Sequence, residues 1–291
     1  FFEISQTLYD SFLTTISTKE NVGKISGFGW GLGYLGGVAV MLLLRPFYIN
    51  GYEQNLTLYK LTFPLTALFF IVFSIPIFIF LKENKSQVSH KFKDLIRIGF
   101  SRVKQTLGEI KTHKNVALFL LGFYLMSDAL VTLFAFITIY AKDTLGIPFS
   151  EIVTILLITQ LIAFPTTLIF GAISDKISSK KILLSSLFIW IIIVFLLIIA
   201  NSKQMFYLIV ALTALVVGSS QAVARAWLTK IIPENKKTEF FGFNGFANKV
   251  SATTGPLIFG TFAVLFNQRV AMIPIGLFFL ASFLIFIKVK E

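Results

Sequence analysis

Cysteine is absent from all 291 residues, which excludes a disulfide scaffold, thiolate metal ligation and thiol chemistry from this stretch. Redox usage therefore says nothing about compartment. Histidine occurs only twice, His90 and His113. Both fall in one polar segment with no clustered ligand set, so neither a metal nor a cofactor is expected. The Gly-Lys-Ser/Thr loop that cradles nucleotide phosphates is missing, which disfavours an ATP-driven pump. Paired carboxylates at a membrane face are missing too, which disfavours a membrane-embedded enzyme acting on lipid. Charged residues make up only 14% of the chain. Nor do its apolar runs alternate with polar residues as the strands of a membrane barrel would.

What fills the chain is apolar sequence. Hydrophobic residues reach 56%, Phe alone numbers 34, and mean hydropathy is +0.82. Eight runs are long enough to span: 27–45, 61–81, 116–141, 152–173, 182–200, 206–232, 240–266 and 270–287. About 20 residues of helix cross the roughly 30 Å hydrocarbon core. The class is an all-α, polytopic membrane protein. A net charge of +12 raises nucleic acid as a partner, but its placement argues otherwise. With the turn at 171–181 in the cytoplasm and sides alternating, 19 Lys and Arg are cytoplasmic and five are external. That asymmetry is the positive-inside rule, and nucleic-acid binding is not needed to explain the charge.

The one sizeable polar segment runs from Lys82 to Lys114. Within it Phe92, Leu95, Ile96, Ile98, Phe100, Val103, Leu107 and Ile110 recur at roughly helical spacing. It reads as a basic amphipathic helix on the membrane surface, where anionic lipid attracts it. An internal repeat divides the rest. Shifted by 215 residues, Leu13-Thr14 and Ile16 fall on Leu228-Thr229 and Ile231, and Gly27-Phe28 falls on Gly242-Phe243. A parallel repeat of that length fits two homologous halves related by an axis along the membrane normal.

The turn Gly171-Ala-Ile-Ser-Asp-Lys-Ile-Ser-Ser-Lys-Lys181 resembles the signature loop of the major facilitator superfamily. Ser26-Gly-Phe-Gly-Trp-Gly-Leu-Gly-Tyr-Leu-Gly-Gly37 resembles the fifth helix of its vacuole effluxer-like, autophagy-associated permeases. Tyr124, Asp128 and Thr132 look like their seventh helix. Ala224-Arg225, Ile232-Pro233, Glu239-Phe-Phe-Gly242 and Gly255-Pro256 are similar to their tenth and eleventh. Ala129 departs from the Gly usual there. The resemblance implies two six-helix bundles and export or exchange of small solutes, amino acids being the best-known class in eukaryotic members. Twelve helices would make residues 1–16 the end of the fourth, with the first three outside this stretch. The expected organisation is 1–81 for the rest of the N-terminal bundle, 82–115 for the linker and 116–291 for the C-terminal bundle.

Gly27, Gly29, Gly31, Gly33, Gly36 and Gly37 have no strand before them, so a dinucleotide fingerprint is excluded. In a membrane helix small residues let backbones approach, and close packing is their expected role. Gly255-Pro256, Pro165 and Pro274 are expected to kink their helices. In the signature turn, with Gly171, Lys176, Lys180 and Lys181, Asp175 is expected at the cytoplasmic N-terminus of the family's helix eleven, paired with Arg225 as a gating latch. Intramembrane charge is costly and faces a cavity or a partner. Tyr124, Asp128 and Thr132 share one helix face, and Gly218, Gln221 and Arg225 form a similar line. Asn244, Asn248 and Lys249 add polar groups. Asp128 is a candidate for a substrate amine or a coupling proton, or else pairs with Lys249 or Arg225 to hold the bundle. Glu3 and Asp10 are weaker candidates. Asn55-Leu-Thr57 fits a glycosylation sequon.

The reading is a secondary transporter moving a small polar solute, amino acids among the candidates, by alternating access, with the glycine-rich helices five and eleven at the moving seam. The expected setting is a prokaryotic plasma membrane, or a vacuolar membrane in a eukaryote. Its partners would be the solute, the bilayer and a coupling proton or cation, with the protein acting as a monomer. A receptor or scaffold that kept the fold and lost transport is the chief alternative.

Overall fold

The computed structural model describes residues 2–49, 55–81, 92–108, 112–233 and 236–291. They form ten helices and, among the described residues, no strand. These are α1 (Phe2–Ile16), α2 (Val22–Tyr48), α3 (Leu56–Phe80), α4 (Phe92–Gly108), α5 (Lys114–Asp143), α6 (Phe149–Lys176), α7 (Ser179–Ile199), α8 (Lys203–Ile231), α9 (Lys237–Leu265) and α10 (Gln268–Lys288). Seven of them (α2, α3, α5, α6, α7, α8 and α10) are long and apolar enough to cross a membrane. The eighth expected span coincides with α9, which is helical over 29 residues but not apolar enough for that class. Its Asn244, Asn248, Lys249, Ser251 and Thr254 dilute the apolar run.

Polar residues start the helices where the sequence offers them. Asn55, Ser178, Ser202 and Asn267 each accept a hydrogen bond from the backbone N–H three residues on, at 2.9 to 3.3 Å. Each such cap stabilises its helix by about 1 kcal/mol. Asn55, the sequon residue, is thus the N-cap of α3. The helices α6, α9 and α10 run on through Pro165, Pro256 and Pro274.

Helices α5 to α10 share one core. Phe119 of α5, Trp227 of α8 and Phe286 of α10 meet with ring centroids 5.3 to 5.4 Å apart. Trp190 of α7 stacks on Phe279 of α10 at 5.4 Å and donates its Nε1–H to Ser220 of α8 at 2.9 Å. That bond lets a buried indole keep its polar atom satisfied. The segment after α10 straps the core's basic end. Glu291 accepts from Ser179 N at 2.6 Å and from Ser178 Oγ, so an anion sits at the N-terminus of α7. Lys180 donates to the carbonyls of Ile287 and Val289 at 2.6 and 2.7 Å, groups the end of α10 would otherwise leave unpaired.

The first three helices join this core through two of their number. Helix α2 lies on α6 and α8, and α1 lies on α9. Among the described residues helix α3 packs chiefly beside α2 and buries no residue, leaving an apolar surface outward as a bilayer permits. Helix α4 falls inside the expected amphipathic linker and leaves Phe100 exposed, with Arg102 3.8 Å from Glu239 of α9. The rest of that linker, 82–91 and 109–111, lies outside the described residues, as does His90.

Candidate functional site

Three polar clusters stand where helices of this apolar protein meet. The first lies between α5 and α9. Asp128 is 1% exposed and Thr132 fully buried. Tyr124 and Asp128, expected on one face of α5, are joined through a residue that the sequence did not single out, Thr254 of α9. Its Oγ1 stands 3.0 Å from Asp128 Oδ2 and 2.9 Å from the Tyr124 hydroxyl. Thr132 Oγ1 donates to the Asp128 carbonyl at 2.6 Å. Gly255 permits this approach: a Cβ there would collide with Thr132 Oγ1 and Asp128 Oδ1 and stand 2.9 Å from the Asp128 carbonyl oxygen. Asp128 Oδ1, Ser127 Oγ and Asn244 Oδ1 are buried with no hydrogen-bond partner among the described residues. Orphaned polar atoms cost about 1 to 3 kcal/mol each and mark a site that something else completes.

The second cluster centres on Arg225 of α8, only 7% exposed. Its Nη1 donates to Asp10 of α1 at 2.7 Å, its Nε to Ser26 Oγ of α2 at 3.0 Å, and its Nη2 to the Ser26 carbonyl at 3.1 Å. The Tyr9 ring lies 5.5 Å from the guanidinium carbon, and Ser26 Oγ donates in turn to the Ala222 carbonyl at 2.7 Å. The guanidinium fork thus ties α1 and α2 to α8. Gln221, one turn away, is half-buried. Asp10 and Arg225 stand 215 positions apart, which is the offset of the expected internal repeat.

The third cluster belongs to the signature turn, and here two expectations are corrected. Asp175 caps α2, not α9: its Oδ1 and Oδ2 accept from Gly23 N and Lys24 N, both at 2.8 Å. Its cation is Lys230, at 3.3 Å, because Arg225 is already committed to Asp10 and Ser26. Lys230 also donates to Ser179 at 3.0 Å. Two free N–H groups at a helix start favour a carboxylate through hydrogen bonding and the helix dipole together. Lys176 and Lys181 are exposed.

Asp128 pairs with neither Arg225 nor Lys249. Among the described residues no charged side chain bears on its carboxyl, whose surroundings are the Thr254 hydroxyl and the Gly255 backbone. Lys249 is exposed and Asn248 half-buried on α9. The glycine stripe divides. A Cβ on Gly27 would stand 2.7 Å from the Thr167 carbonyl and 3.1 Å from Gly171 Cα; one on Gly31 would stand 3.3 Å from Phe164 and Leu168. A Cβ on Gly23, not singled out by the sequence, would stand 2.5 Å from the Gly171 carbonyl oxygen, and one on Gly37 would collide with the Gln160 side chain. Gly29 faces Tyr9 and Arg225. A Cβ on Gly33 or Gly36 would meet nothing within 4 Å. The close seam is therefore between α2 and α6, where glycines four apart present bare backbone to Gly171.

Residues 11–291 match the family described as vacuole effluxer Atg22 like. The chain belongs to this family. An uncharacterized MFS-type transporter of Bacillus subtilis, YxiO, is 29% identical over 276 residues, covering 91% of this chain and 62% of its own length. Autophagy-related protein 22 of Kluyveromyces lactis is 24% identical over 285 residues, covering 90% of this chain and 57% of its own. The chain thus spans about three-fifths of these relatives. The fold matches the E. coli fucose:proton symporter FucP with a TM-score of 0.72 at 12% identity, covering 98% of this chain and 73% of that one. It matches a bacterial homologue of ferroportin with a TM-score of 0.68 at 14% identity, over 98% and 68% respectively. The family member described here is a multi-pass integral membrane protein with the major facilitator fold.

Proposed function

We propose that this protein carries a small polar solute across its membrane as a secondary transporter, by alternating access between two helix bundles. The observation that carries the reading is how α1 and α2 meet α6 and α8. Beside a small apolar cluster of Leu13, Val22 and Ala226, they do so through ion pairs, helix-start N–H groups and bare glycine backbone. Contacts of that kind exchange one partner for another with little repacking, as a rocking seam requires. The two clusters around Arg225 and Asp175 lie at the end of the bundle that bears the basic loops, which the charge asymmetry assigns to the cytoplasm. They would latch that side shut while the opposite side is open. Asp128, with Tyr124 and Thr132 and with Gln221 of α8 and Asn244 and Asn248 of α9, would supply the polar groups for solute or a coupling proton. The division into residues 1–81, 82–115 and 116–291, with the seam as the boundary between bundles, belongs to this reading.

The test is counterflow of a mixed amino-acid panel into liposomes bearing the full-length protein, with and without a pH gradient. Accumulation of one class that disappears in Asp128→Asn, in protein that still unfolds cooperatively, is the expected result. Full flux in Asp128→Asn would remove that carboxylate from the mechanism. No flux with any small solute would leave a receptor or scaffold as the better reading.

A further inference from the structure

The Asp128 cluster contains a hydrogen-counting constraint that goes beyond a buried carboxylate. A threonine hydroxyl has one hydrogen to give. In the structure Thr254 gives it to Asp128 Oδ2, at 3.0 Å. The contact between Thr254 Oγ1 and the Tyr124 hydroxyl, at 2.9 Å, then has only one polarity available: Tyr124 donates and Thr254 accepts. The carbonyl of Val250, 3.4 Å from Thr254 Oγ1, is too distant to win that hydrogen from either neighbour. So while Asp128 is charged, the proton of Tyr124 points inward along the chain, and its oxygen offers lone pairs alone to whatever stands outside.

We infer that Thr254 is a polarity relay, which converts the protonation of Asp128 into a change of the Tyr124 hydroxyl from hydrogen-bond acceptor to donor. The inference rests on the proposed transport reading and deepens it. When a proton from water reaches Asp128 Oδ2, that oxygen becomes the donor to Thr254 Oγ1. Thr254 now accepts from Asp128, and its own hydrogen turns to the Tyr124 oxygen. Tyr124 accepts, and its proton is released toward the half-buried side of the site. No bond other than O–H to Oδ2 is formed, and the two hydroxyls only rotate. Burial grades along the path in the sense required, since Asp128 is closed off while Tyr124 and Thr254 are half-buried. Protonated or not, Asp128 would thus select the other partner at Tyr124: an ammonium or N–H group while charged, a carboxylate or carbonyl while neutral.

Among the described residues the charges on neighbouring elements do not compete for this role. On α8, Arg225 is held by Asp10 and Ser26, and Lys230 by Asp175 and Ser179; Lys203 and Tyr207 gather at Glu151 of α6. On α9, Glu239 faces Arg102, and Lys249 is exposed. On α10, Arg269 and Lys288 occupy the two ends. Burial, Thr254 and the Gly255 backbone are what bear on Asp128.

The test needs no solute. Infrared difference spectra between acidic and alkaline buffer are recorded on the full-length protein in liposomes, with tyrosine ring-labelled. Two bands identify the players: a protonated-carboxyl stretch lost in Asp128→Asn, and a phenol C–O band lost in Tyr124→Phe. The expected result is that both bands change at one pH midpoint in the native protein and in Thr254→Ser. In Thr254→Val and Thr254→Ala the carboxyl band persists, shifted, and the tyrosine response is lost. A tyrosine response that survives in both hydroxyl-free variants overturns the relay, as does a carboxyl band that survives Asp128→Asn. Loss of the tyrosine response from the native protein with solute flux intact would sink the relay and leave the transport reading standing. Intact bands without flux would do the reverse.

Discussion

Replacing Gly27 by alanine puts one methyl group into the tightest part of the α2–α6 seam. Its Cβ would stand 2.7 Å from the Thr167 carbonyl oxygen and 3.1 Å from Gly171 Cα, where ordinary contact begins at 3.4 Å. Both obstacles are backbone, so neither can swing aside, and the helices must part by about 0.7 Å to admit it. Overpacking of that kind costs about 1 to 3 kcal/mol. Because the seam holds one state of the proposed cycle together, the cost falls on that state alone and shifts its population by about 5- to 150-fold. Gly33→Ala is the matched control. Nothing lies within 4 Å of its Cβ, and alanine favours helix over glycine by about 1 kcal/mol. The stretch has no cysteine, so Val22→Cys, on an otherwise cysteine-less background, serves as reporter. Val22 is fully buried against Leu13 and Ala226. Alkylation by an impermeant maleimide from the basic-loop side should be 5- to 150-fold faster in Gly27→Ala than in Gly33→Ala. Equal rates in the two would refute the assignment of the seam.

Other perturbations test the remaining clusters. Arg225→Gln leaves the half-buried Asp10 without its cation and should lower stability by about 1.5 to 3 kcal/mol, read as a fall in the thermal midpoint in detergent. If Asp10 and Arg225 occupy equivalent positions of the repeat, the exchanged pair, Asp10→Arg with Arg225→Asp, should regain at least half of that loss; a double variant no better than the single one would dismiss the equivalence. Asp175→Asn removes the charge that holds the start of α2 and the Lys230 ammonium. Labelling of Val22→Cys should accelerate, with an effect of about 1 to 2 kcal/mol that shrinks in high salt. Ser220→Ala orphans the Trp190 indole N–H and should cost about 1 to 3 kcal/mol, whereas Trp190→Phe with Ser220→Ala should cost less than the sum of the two single changes.

Lipid made the architecture readable. An apolar run has to match the thickness of the bilayer, so 27–45 or 182–200 announces a helix whatever surrounds it. The run marks the slab and not the helix, however. Helix α2 therefore extends to Val22–Tyr48, carrying the interfacial Lys24 beyond the apolar limits. The site was legible where one helix face held it, as with Tyr124, Asp128 and Thr132. It was not legible where the partner came from elsewhere. Thr254 is an ordinary hydroxyl until α9 brings it beside α5, and its only advertisement was the Gly255-Pro256 pair that follows. The signature turn likewise named Asp175 correctly as an anion for a helix start, but spacing along the chain cannot say which of several helix starts lies above it. Arg225 shows the same limit: as the nearest obvious cation it seemed suited to Asp175, yet Lys230, five residues on, reaches it and leaves Arg225 for Asp10.

The polar character of α9 has a bearing on how the protein is made. A segment enters the bilayer from the translocation machinery on its own only if its summed hydropathy is favourable, and one Asp, Lys or Arg near the centre adds about 2.5 to 3.5 kcal/mol against it. Helix α9, with Lys249, Asn244 and Asn248 inside it and too little apolar sequence to class with the other seven, is ill-suited to enter unaided. Strongly apolar α10 follows after a two-residue connection, and α5 offers the Tyr124 and Asp128 groups that α9 needs. Insertion of α9 is then a cooperative event that waits for α10 to emerge from the ribosome. Ribosome-bound chains ending before α10 should hold α9 outside the membrane.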